Sequence, residues 1–462
     1  MSDKQKTIKN EVSLSGIGLH TGEKVTLTFK PAPENHGYKF KRVDLEGQPT
    51  IDANVDLVVD TSRGTTLEQN GARVYTTEHA LAAVYGLEID NIIIELDGKE
   101  IPIMDGSARL FAEALMKAEI VEQEAEKNYY VVTENLAFED QEKGTEMLMV
   151  PQDEFRLTVM VDYNSKILGT QHAHMYHLGE FLPEISNCRT FVFLRELEIL
   201  AKHGLIKGGD LDNAIVLVDQ ILPQEKIDEI AELLGKPKME IKEAGVLNNL
   251  KLHFQNEPAR HKLLDIIGDL ALVGRPIKGH VLAARPGHKG NTDFAKLIKK
   301  RIKDDTKKAP VYDVNKEPIF NIEQIQNLLP HRYPFLLVDK VIELSDNHVV
   351  GVKNVTMNED YFQGHFPGSP VMPGVLQIEA MAQTGGILVL NSVPDPENYL
   401  TYFMKIDNVK FKSKVVPGDT LIFKLELLSP IRRGICHMKG TTYVGDKIAT
   451  EGELMAQIVK VK

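Results

Sequence analysis

One helical stretch near the middle of the chain places an imidazole and two carboxylates on a single face. His261, Asp265 and Asp269 stand four residues apart, and the apolar residues between them recur with the period of a helix packed on one side. Residues four apart on a helix lie one turn above each other. Because imidazole nitrogen and carboxylate oxygen both bind zinc at about 2.0–2.2 Å, His261 and Asp265 can share one metal ion. Asp269 is better placed to orient another side chain.

Taken alone, this pattern also fits an ordinary amphipathic helix, since short motifs match many unrelated sequences. A second predicted helix begins with Glu78 and His79. A third ligand from His79 would leave one coordination position open, which is typical of catalytic zinc. Glu78 could then act as general base. His288, if oriented by Asp269, could act as general acid or oxyanion donor, and Lys262 could meet an anionic group of the substrate.

Composition limits the classes of protein to be considered. The chain has 462 residues, enough for about three domains of typical size. Its net charge of -12 argues against nucleic acid as a partner. The two cysteines fit a reducing compartment. The polar stretch 1–10 does not resemble a signal peptide, and no apolar run approaches the roughly 18 residues of a membrane span. We therefore expect a cytoplasmic protein with no integral membrane segment.

The order of predicted elements indicates an α+β protein. Strands and helices alternate through two stretches of similar organisation, predicted as units at 1–127 and 128–303, each with two packed layers. A charged stretch without apolar periodicity follows and predicts a linker at 304–318. A third domain, 319–462, has one long apolar helix, Pro373 to about Leu390. Its strands are predicted at 336–344, 348–354, 408–411, 420–428, 435–444 and 447–459. These elements predict an antiparallel sheet around a central helix.

Two polar residues in this last domain suggest a second site. His365 lies in a turn rich in glycine and proline, and Glu379 lies within the apolar helix, where a carboxylate is costly unless it is paired or functional. The start of that helix at Gly374 offers free backbone N–H groups. A base, an acid and a carbonyl-binding N–H together suit elimination of water from a 3-hydroxyacyl thioester. The alternative is an ordinary turn histidine and an exposed glutamate.

Ordered motifs across the first 303 residues match one known family. The matching segments are 15–22 (SGIGLHTG), 77–84 (TEHALAAV), 90–95 (DNIIIE), 101–107 (IPIMDGS), 189–191 (RTF), 212–214 (DNA), 260–269 (RHKLLDIIGD) and 287–288 (GH). This region resembles the UDP-3-O-acyl-N-acetylglucosamine deacetylases, the zinc amidases of lipid A synthesis. The resemblance implies two similar layered α/β-sandwich units with the site between them. One segment, about 222–247, is longer than the family leads us to expect and predicts an inserted helical excursion.

The resemblance also implies a role for each candidate residue. The zinc ligands correspond to His79, His261 and Asp265, one zinc per site. The remaining roles are general base for Glu78, second catalytic residue for His288 with Asp269 beside it, oxyanion contact for Thr190 and nucleotide-sugar contact for Lys262. The substrate implied is a UDP-sugar with a 3-hydroxyacyl chain, which lies in an apolar passage.

Four segments of the last domain match a second family. They are 329–339 (LPHRYPFLLVD), 364–368 (GHFPG), 372–383 (MPGVLQIEAMAQ) and 416–419 (VPGD). The domain resembles the (3R)-hydroxyacyl-[acyl-carrier-protein] dehydratases, which have the hot-dog fold. The resemblance implies catalysis by His365 and Glu379 and a carbonyl-binding N–H at Gly374.

In that family the catalytic pair comes from two protomers, so the resemblance implies a homo-oligomer, a dimer or a trimer of dimers. The partner implied is acyl carrier protein, which is acidic. Candidate contacts for it are Lys405, Lys410, Lys412, Lys414, Arg432 and Arg433.

Together these observations predict a fused bifunctional enzyme of lipid A and fatty acid synthesis. A rival hypothesis is a binding protein, in which a metal-stabilised domain without activity is joined to a thioester sensor. Metal removal would separate the two hypotheses, because a structural metal is needed for folding and a catalytic metal is needed for hydrolysis.

Overall fold

The computed structural model describes residues 3–165, 167–202, 206–210, 213–238, 240–241, 243–247, 250–305 and 312–461. The chain divides into two compact units, Met1–Ile302 and Lys303–Lys462. Residues 306–311 of the predicted linker lie outside the described residues, as does Asp212 of one motif. None of the described helices is long and apolar enough to cross a membrane.

The first half of unit 1 is built on a five-stranded sheet in the order β2-β3-β9-β4-β5. Its elements are β1 (Lys4–Ile8), β2 (Val12–Ile17), β3 (Lys24–Pro31), β4 (Tyr38–Arg42), β5 (Thr50–Asp52), β6 (Val58–Asp60), β7 (Thr66–Gln69), β8 (Ala72–Val74), α1 (Glu78–Gly86), β9 (Ile92–Leu96), α2 (Arg109–Lys117) and β10 (Ile120–Glu126). The alternation of buried and half-exposed residues along β3 and β9 is that of strands with one face on the core.

The second half of unit 1 has a main sheet in the order β12-β13-β19-β14-β15 and a smaller sheet β16-β17-β18. Its elements are β11 (Tyr130–Val131), β12 (Leu136–Asp140), β13 (Thr145–Val150), β14 (Phe155–Asp162), β15 (Thr170–Met175), β16 (Phe191–Phe193), α3 (Leu194–Lys202), β17 (Ile215–Val218), α4 (Gln224–Leu233), β18 (Gly245–Val246), α5 (Glu257–Ala271), β19 (Ile277–Ala284) and α6 (His288–Asp305). Helix α4 lies in the segment predicted as a helical excursion.

The two main sheets repeat one topology. In the first, β9 is central, antiparallel to β3 and parallel to β4. In the second, β19 is central, antiparallel to β13 and parallel to β14. Both halves contribute to one hydrophobic core, in which α1 and α5 pack together. The structural duplication that the order of elements suggested is therefore present, and the layered α+β fold is confirmed.

Helices α1 and α5 approach backbone to backbone at a glycine. A β-carbon on Gly268 would lie 2.2 Å from the carbonyl oxygen of Glu78, far inside any van der Waals contact. Only glycine lets the helices come this close. Because Glu78 and His79 begin α1 while His261 and Asp265 lie on α5, this contact brings the polar residues of the two halves together.

Unit 2 is a six-stranded antiparallel sheet in the order β20-β21-β23-β24-β25-β22 against one long helix. Its elements are α7 (Ile322–Leu328), β20 (Lys340–Leu344), β21 (His348–Asn354), α8 (Gly374–Leu390), β22 (Tyr399–Phe411), β23 (Thr420–Leu427), β24 (Ile435–Val444) and β25 (Lys447–Lys460). The apolar side chains of α8 are buried in the core of this unit. The arrangement is the hot-dog fold, as predicted.

Two strand predictions in unit 2 were wrong in extent. The strand predicted at 336–344 begins only at Lys340, because the backbone N–H of Leu337 donates to the side chain of Gln383 on α8, at 2.8 Å. The strand predicted at 408–411 begins nine residues earlier, at Tyr399. Most of its residues are exposed, so β22 lacks the alternation by which a half-buried strand is found in a sequence.

A short segment before α7 covers a second apolar cluster of unit 2. Tyr312 and Val314 pack against a group of buried residues from four strands, with the Tyr312 and Tyr443 ring centroids 6.5 Å apart. The buried group is Ile342, Val350, Val352, Ile422 and Tyr443. The side chain of Lys340 also donates to the carbonyl oxygen of Val314. Residues 312 and 314, within the predicted linker, therefore pack as part of unit 2.

Candidate active sites

His79, His261 and Asp265 form a compact group in unit 1. One possible ligand atom from each lies within 4.8 Å of the other two, and all three side chains are buried. The Nε2 atoms of His79 and His261 lie 3.9 Å and 3.4 Å from Asp265 Oδ1. Within the described part of the chain, no other group of histidine, cysteine or acidic residues is arranged to hold a metal ion.

The hydrogen bonds around this group leave the right atoms for a cation. His261 Nδ1 lies 3.0 Å from the carbonyl oxygen of Cys188. A carbonyl only accepts, so Nδ1 donates and Nε2 is left as a lone-pair donor to a metal. Asp265 Oδ1 is buried and has no hydrogen-bond partner among the described residues, a costly state for a carboxylate oxygen. Two imidazoles and one carboxylate are a donor set that fits zinc.

The protonation states also suit a metal. Burial, and after it the neighbouring His261, lower the pKa of His79 to about 3. Burial likewise lowers the pKa of His261. Burial alone would raise the pKa of Asp265, but the charge of Lys262 and the surrounding histidines hold it well below its usual range. Metal ligands must be neutral imidazole and ionised carboxylate, and these three groups meet that requirement near pH 7.

Glu78 and His288 lie beside the metal-ligand group with complementary proton affinities. His288 Nε2 is 3.9 Å from Glu78 Oε1 and 4.0 Å from Asp265 Oδ2, and its Nδ1 is 3.0 Å from Asp269 Oδ2. Burial raises the pKa of Glu78 to about 7. Burial acts to lower the pKa of His288, but Asp269 and Glu78 more than offset it and raise the pKa to about 10. Glu78 can therefore exchange a proton near neutral pH, and His288 holds one.

Two residues that sequence reasoning missed complete this network. The backbone N–H of Thr65 donates to Glu78 Oε2 at 2.9 Å, and its hydroxyl donates to Asp269 Oδ1 at 2.5 Å. Asn291 Nδ2 donates to Asp269 Oδ2 at 2.9 Å. Asn291 stands three residues after His288 at the start of α6, so helical spacing could have indicated it. Thr65 comes from a loop, and no local pattern in the sequence points to it.

Lys262 contacts the metal-ligand group, and Thr190 lines a neighbouring cavity. Lys262 Nζ is 2.8 Å from Asp265 Oδ2 and 5.7 Å from the Phe191 ring centroid. Burial acts to lower the pKa of Lys262, but Asp265 raises it above its usual value, so the side chain is cationic. Thr190 is fixed by backbone hydrogen bonds to Gly106 and Ile215. Its hydroxyl makes no hydrogen bond to the metal-ligand group in the described structure.

The cavity that Thr190 lines is apolar. It has a volume of about 310 Å³, and Thr190 and Phe191 line it together with residues of α3, β17 and α4. The Phe191 ring centroid is 6.4 Å from that of His261. The cavity therefore lies next to the metal-ligand group, although none of the three ligands lines it, and it extends into the part of unit 1 that contains the excursion.

In unit 2, Glu379 lines a separate cavity. That cavity has a volume of about 400 Å³ and is mostly apolar. Glu379 Oε1 accepts a hydrogen bond of 3.0 Å from Gln383 Nε2, and His331 Nε2 lies 3.6 Å away. Gln383, one turn further along α8, and His331, from the loop after α7, thus contact the carboxylate.

His365 and Gly374 are placed differently. His365 Nδ1 lies 2.7 Å from the carbonyl oxygen of Val371, so Nδ1 donates and Nε2 is left as a base. Gly374 is the first residue of α8, and a β-carbon there would lie 2.6 Å from Phe411. In the described part of the single chain, no hydrogen bond or ion pair joins His365 to Glu379, and His365 does not line the cavity that Glu379 lines.

Comparison with known proteins covers both units. The family profile of UDP-3-O-acyl N-acetylglycosamine deacetylase matches residues 5–232 and 238–300, and that of the FabA-like domain matches 329–453. The bifunctional enzyme LpxC/FabZ of Bacteroides thetaiotaomicron is 55% identical over 99% of this chain and 100% of its own length. The chain belongs to the bifunctional LpxC/FabZ family.

Other members and single-function relatives agree. The bifunctional enzyme LpxC/FabZ of Porphyromonas gingivalis is 51% identical, over 99% of both chains. The UDP-3-O-acyl-N-acetylglucosamine deacetylase of Myxococcus xanthus is 40% identical over 65% of this chain and 87% of its own length. As a LpxC/FabZ enzyme, the chain combines a deacetylase with a dehydratase, and the rival hypothesis of a binding protein without activity is wrong.

Proposed function

We propose that unit 1 hydrolyses the acetamide of a UDP-3-O-(3-hydroxyacyl)-N-acetylglucosamine with one zinc ion held by His79, His261 and Asp265. The observation that carries this proposal is the convergence of these three side chains, from two halves of the unit, with Glu78 and His288 beside them. A zinc ion held there would supply Lewis-acid polarisation of the amide carbonyl and of the attacking water.

The protein groups around the ion would manage the protons. Glu78 takes a proton from the attacking water, for which a pKa of about 7 is well matched. His288 is protonated and lies on the same side, so it can stabilise the developing oxyanion and protonate the leaving amine. Asp269 fixes the orientation of His288 through Nδ1. The products are acetate and the free amine of the sugar.

Two further residues would bind the substrate. Lys262 is cationic and lies at the rim of the site, where it can attract an anionic group of the nucleotide-sugar. Thr190, at the mouth of the apolar cavity, would donate its hydroxyl to the oxyanion. The cavity would receive the acyl chain, because its lining is apolar and its volume is within the range of ligand sites. The product would be an intermediate of lipid A synthesis.

We propose that unit 2 converts a (3R)-3-hydroxyacyl thioester of acyl carrier protein into the trans-2-enoyl thioester and water. His365 Nε2 removes a proton from C2, Glu379 protonates the departing 3-hydroxyl, and the backbone N–H of Gly374 donates to the thioester carbonyl. The start of α8 supports the last role, since its free N–H groups and positive dipole end favour negative charge.

The dehydratase site would be completed by a second copy of the chain. His365 and Glu379 do not meet within one chain, and β22, at the edge of the sheet, exposes Tyr402, Phe403 and Met404 by 42–53%. An exposed apolar edge strand is a ready site for pairing with another chain. We therefore propose a homodimer, with a trimer of dimers as the larger assembly. Lys405, Lys410 and Lys412 remain candidate contacts for the acidic carrier protein.

Metal analysis combined with assays of Glu78→Ala and Asp265→Ala tests the deacetylase proposal. We expect Glu78→Ala to keep one zinc per chain and lose hydrolysis, and Asp265→Ala to lose both. Chelation should abolish hydrolysis while thermal unfolding of unit 1 stays cooperative. Hydrolysis that persists in zinc-free protein, or in Glu78→Ala, would contradict the proposal.

A further inference from the structure

Helix α4 carries a narrow apolar stripe on one face. Ile227, Ile230, Ala231 and Leu234, the last of which directly follows the helix, have the spacing of residues that share one helical face. The first three are buried, whereas the residues between them, such as Glu229 and Glu232, are exposed. The helix is therefore bound to unit 1 through this stripe.

The residues of this stripe do not pack against a filled hydrophobic core. All four residues line the apolar cavity of about 310 Å³, as do Thr190 and Phe191. Protein interiors rarely leave voids much larger than a water molecule. An apolar space of this size, lined by α4 and by Phe191, whose ring is next to that of His261, has the dimensions of a ligand site.

Ion pairs fix α4 to its surroundings from outside the stripe. Lys236 Nζ, just after the helix, is 2.6 Å from Asp210 Oδ2, and Lys202 Nζ on α3 is 3.0 Å from Glu229 Oε1. The match to the deacetylase family profile also breaks at residues 233–237, at the end of this helix. The wall formed by α4 therefore has ion-pair contacts outside the stripe, and the chain departs from the family profile where this helix ends.

We propose that α4 is the end wall of the acyl passage and that Ile227, Ile230, Ala231 and Leu234 determine the length of acyl chain that the deacetylase accepts. This inference rests on the deacetylase function proposed above. The occupant is the distal, methyl end of the 3-acyl chain of the substrate. Burial of each methylene contributes about fourfold to binding, so a wall that admits or excludes two methylenes changes selectivity roughly tenfold or more.

Substitutions that shift this wall in opposite directions test the proposal. Ala231→Phe fills the passage, and Ile230→Ala enlarges it. Leu233→Phe is the matched control, because Leu233 is on the same helix but 45% exposed and does not line the cavity. For each variant, kcat/KM for deacetylation is measured over UDP-sugars with graded 3-acyl chain lengths. The dehydratase activity of the same chain and the thermal midpoint report on folding.

We expect Ala231→Phe to move the preferred chain length to shorter acyl groups, with the ratio of long-chain to short-chain kcat/KM falling about tenfold or more. Ile230→Ala should move the preference to longer groups, and Leu233→Phe should leave it unchanged. Equal loss at every chain length, with a lowered thermal midpoint, would mean that α4 is only part of the core and would overturn the proposal.

Binding measurements separate this inference from the proposed function. Dissociation constants for the same substrates can be measured in a Glu78→Ala background, where turnover is removed. A wild-type enzyme that deacetylates normally, with unchanged length dependence in Ala231→Phe, contradicts the role of α4 alone. A wild-type enzyme that deacetylates none of these substrates contradicts the proposed function itself.

Discussion

The two sites of this chain differ in how complete they are within one molecule. In unit 1, His79, His261, Asp265, Glu78 and His288 lie within a few ångströms of each other. In unit 2, His365 does not line the cavity that Glu379 lines. The layered duplication of unit 1 provides two facing surfaces within one chain, whereas a single hot-dog sheet provides only one. A site that needs two walls must then obtain the second wall from another copy.

Metal removal should give the largest contrast between the sites. Asp265→Ala removes the only ligand oxygen of the group, so we expect no detectable deacetylation and no bound zinc. Dehydration by the same protein should be unchanged, because unit 2 has its own hydrophobic core. Assays of both reactions on one preparation check this. A parallel loss of dehydration would show that the units are not independent.

Mixing of inactive variants tests whether each site is confined to one chain. His365→Ala and Glu379→Gln should each abolish dehydration. If the pair comes from two protomers, refolding them together in equal amounts should restore about a quarter of wild-type activity, since half of the dimers are mixed and each has one intact site. Mixing Glu78→Ala with His261→Ala should restore no deacetylation. Restored deacetylation in unit 1, or no restored dehydration in unit 2, would contradict the proposed difference between the two sites.

Gly268→Ala tests the close approach of α1 and α5. The added methyl group would meet the backbone of Glu78, so the helices must separate by a fraction of an ångström or more. Displacement of about 1 Å in a reacting group can reduce the rate about 10²-fold. We expect a fall in deacetylase kcat of that order, with weaker zinc retention. Gly279→Ala, on β19, where the added methyl group would meet the side chain of Val132 instead, is the control for general effects on folding.

Thr65→Val should have the smallest effect. It removes the hydroxyl that donates to Asp269 and leaves the backbone bond to Glu78 in place. An unpaired buried acceptor costs about 1–3 kcal/mol, so we expect roughly a tenfold fall in deacetylase kcat/KM. Thr65→Ser should restore most of the activity. Unchanged kinetics in Thr65→Val would show that Asn291 alone orients Asp269.

The sequence predicted the metal ligands of the deacetylase better than it predicted the residues that orient the groups around them. His261 and Asp265 share one helix, so helical spacing alone placed them together. The position of His79 depends on the packing of α1 against α5, which no local pattern shows, so the residues alone indicated only a possible third ligand and the family resemblance then implied it. Thr65 was missed because a loop brings it to Asp269 from 204 residues away.

In unit 2, the buried helix α8 was predicted almost to the residue, because a long apolar run is a strong signal. Strand β22 was predicted at less than half its length. Most of its aromatic and aliphatic residues are exposed in the single chain. If β22 pairs with a second protomer, as proposed, an alternation of buried and exposed residues within one chain could not indicate this strand.

The docking of Tyr312 and Val314 has a consequence for how such a fusion can be taken apart. The linker between the two enzymes supplies side chains that cover the second apolar cluster of the dehydratase sheet. A separate dehydratase that begins at residue 319 would lack Tyr312 and Val314, and the apolar cluster beneath them would be exposed to solvent. A separate dehydratase that begins just before Tyr312 would keep the cluster covered. Because residues 312 and 314 now cover this cluster, splitting the gene after them would lower the solubility of the separated dehydratase.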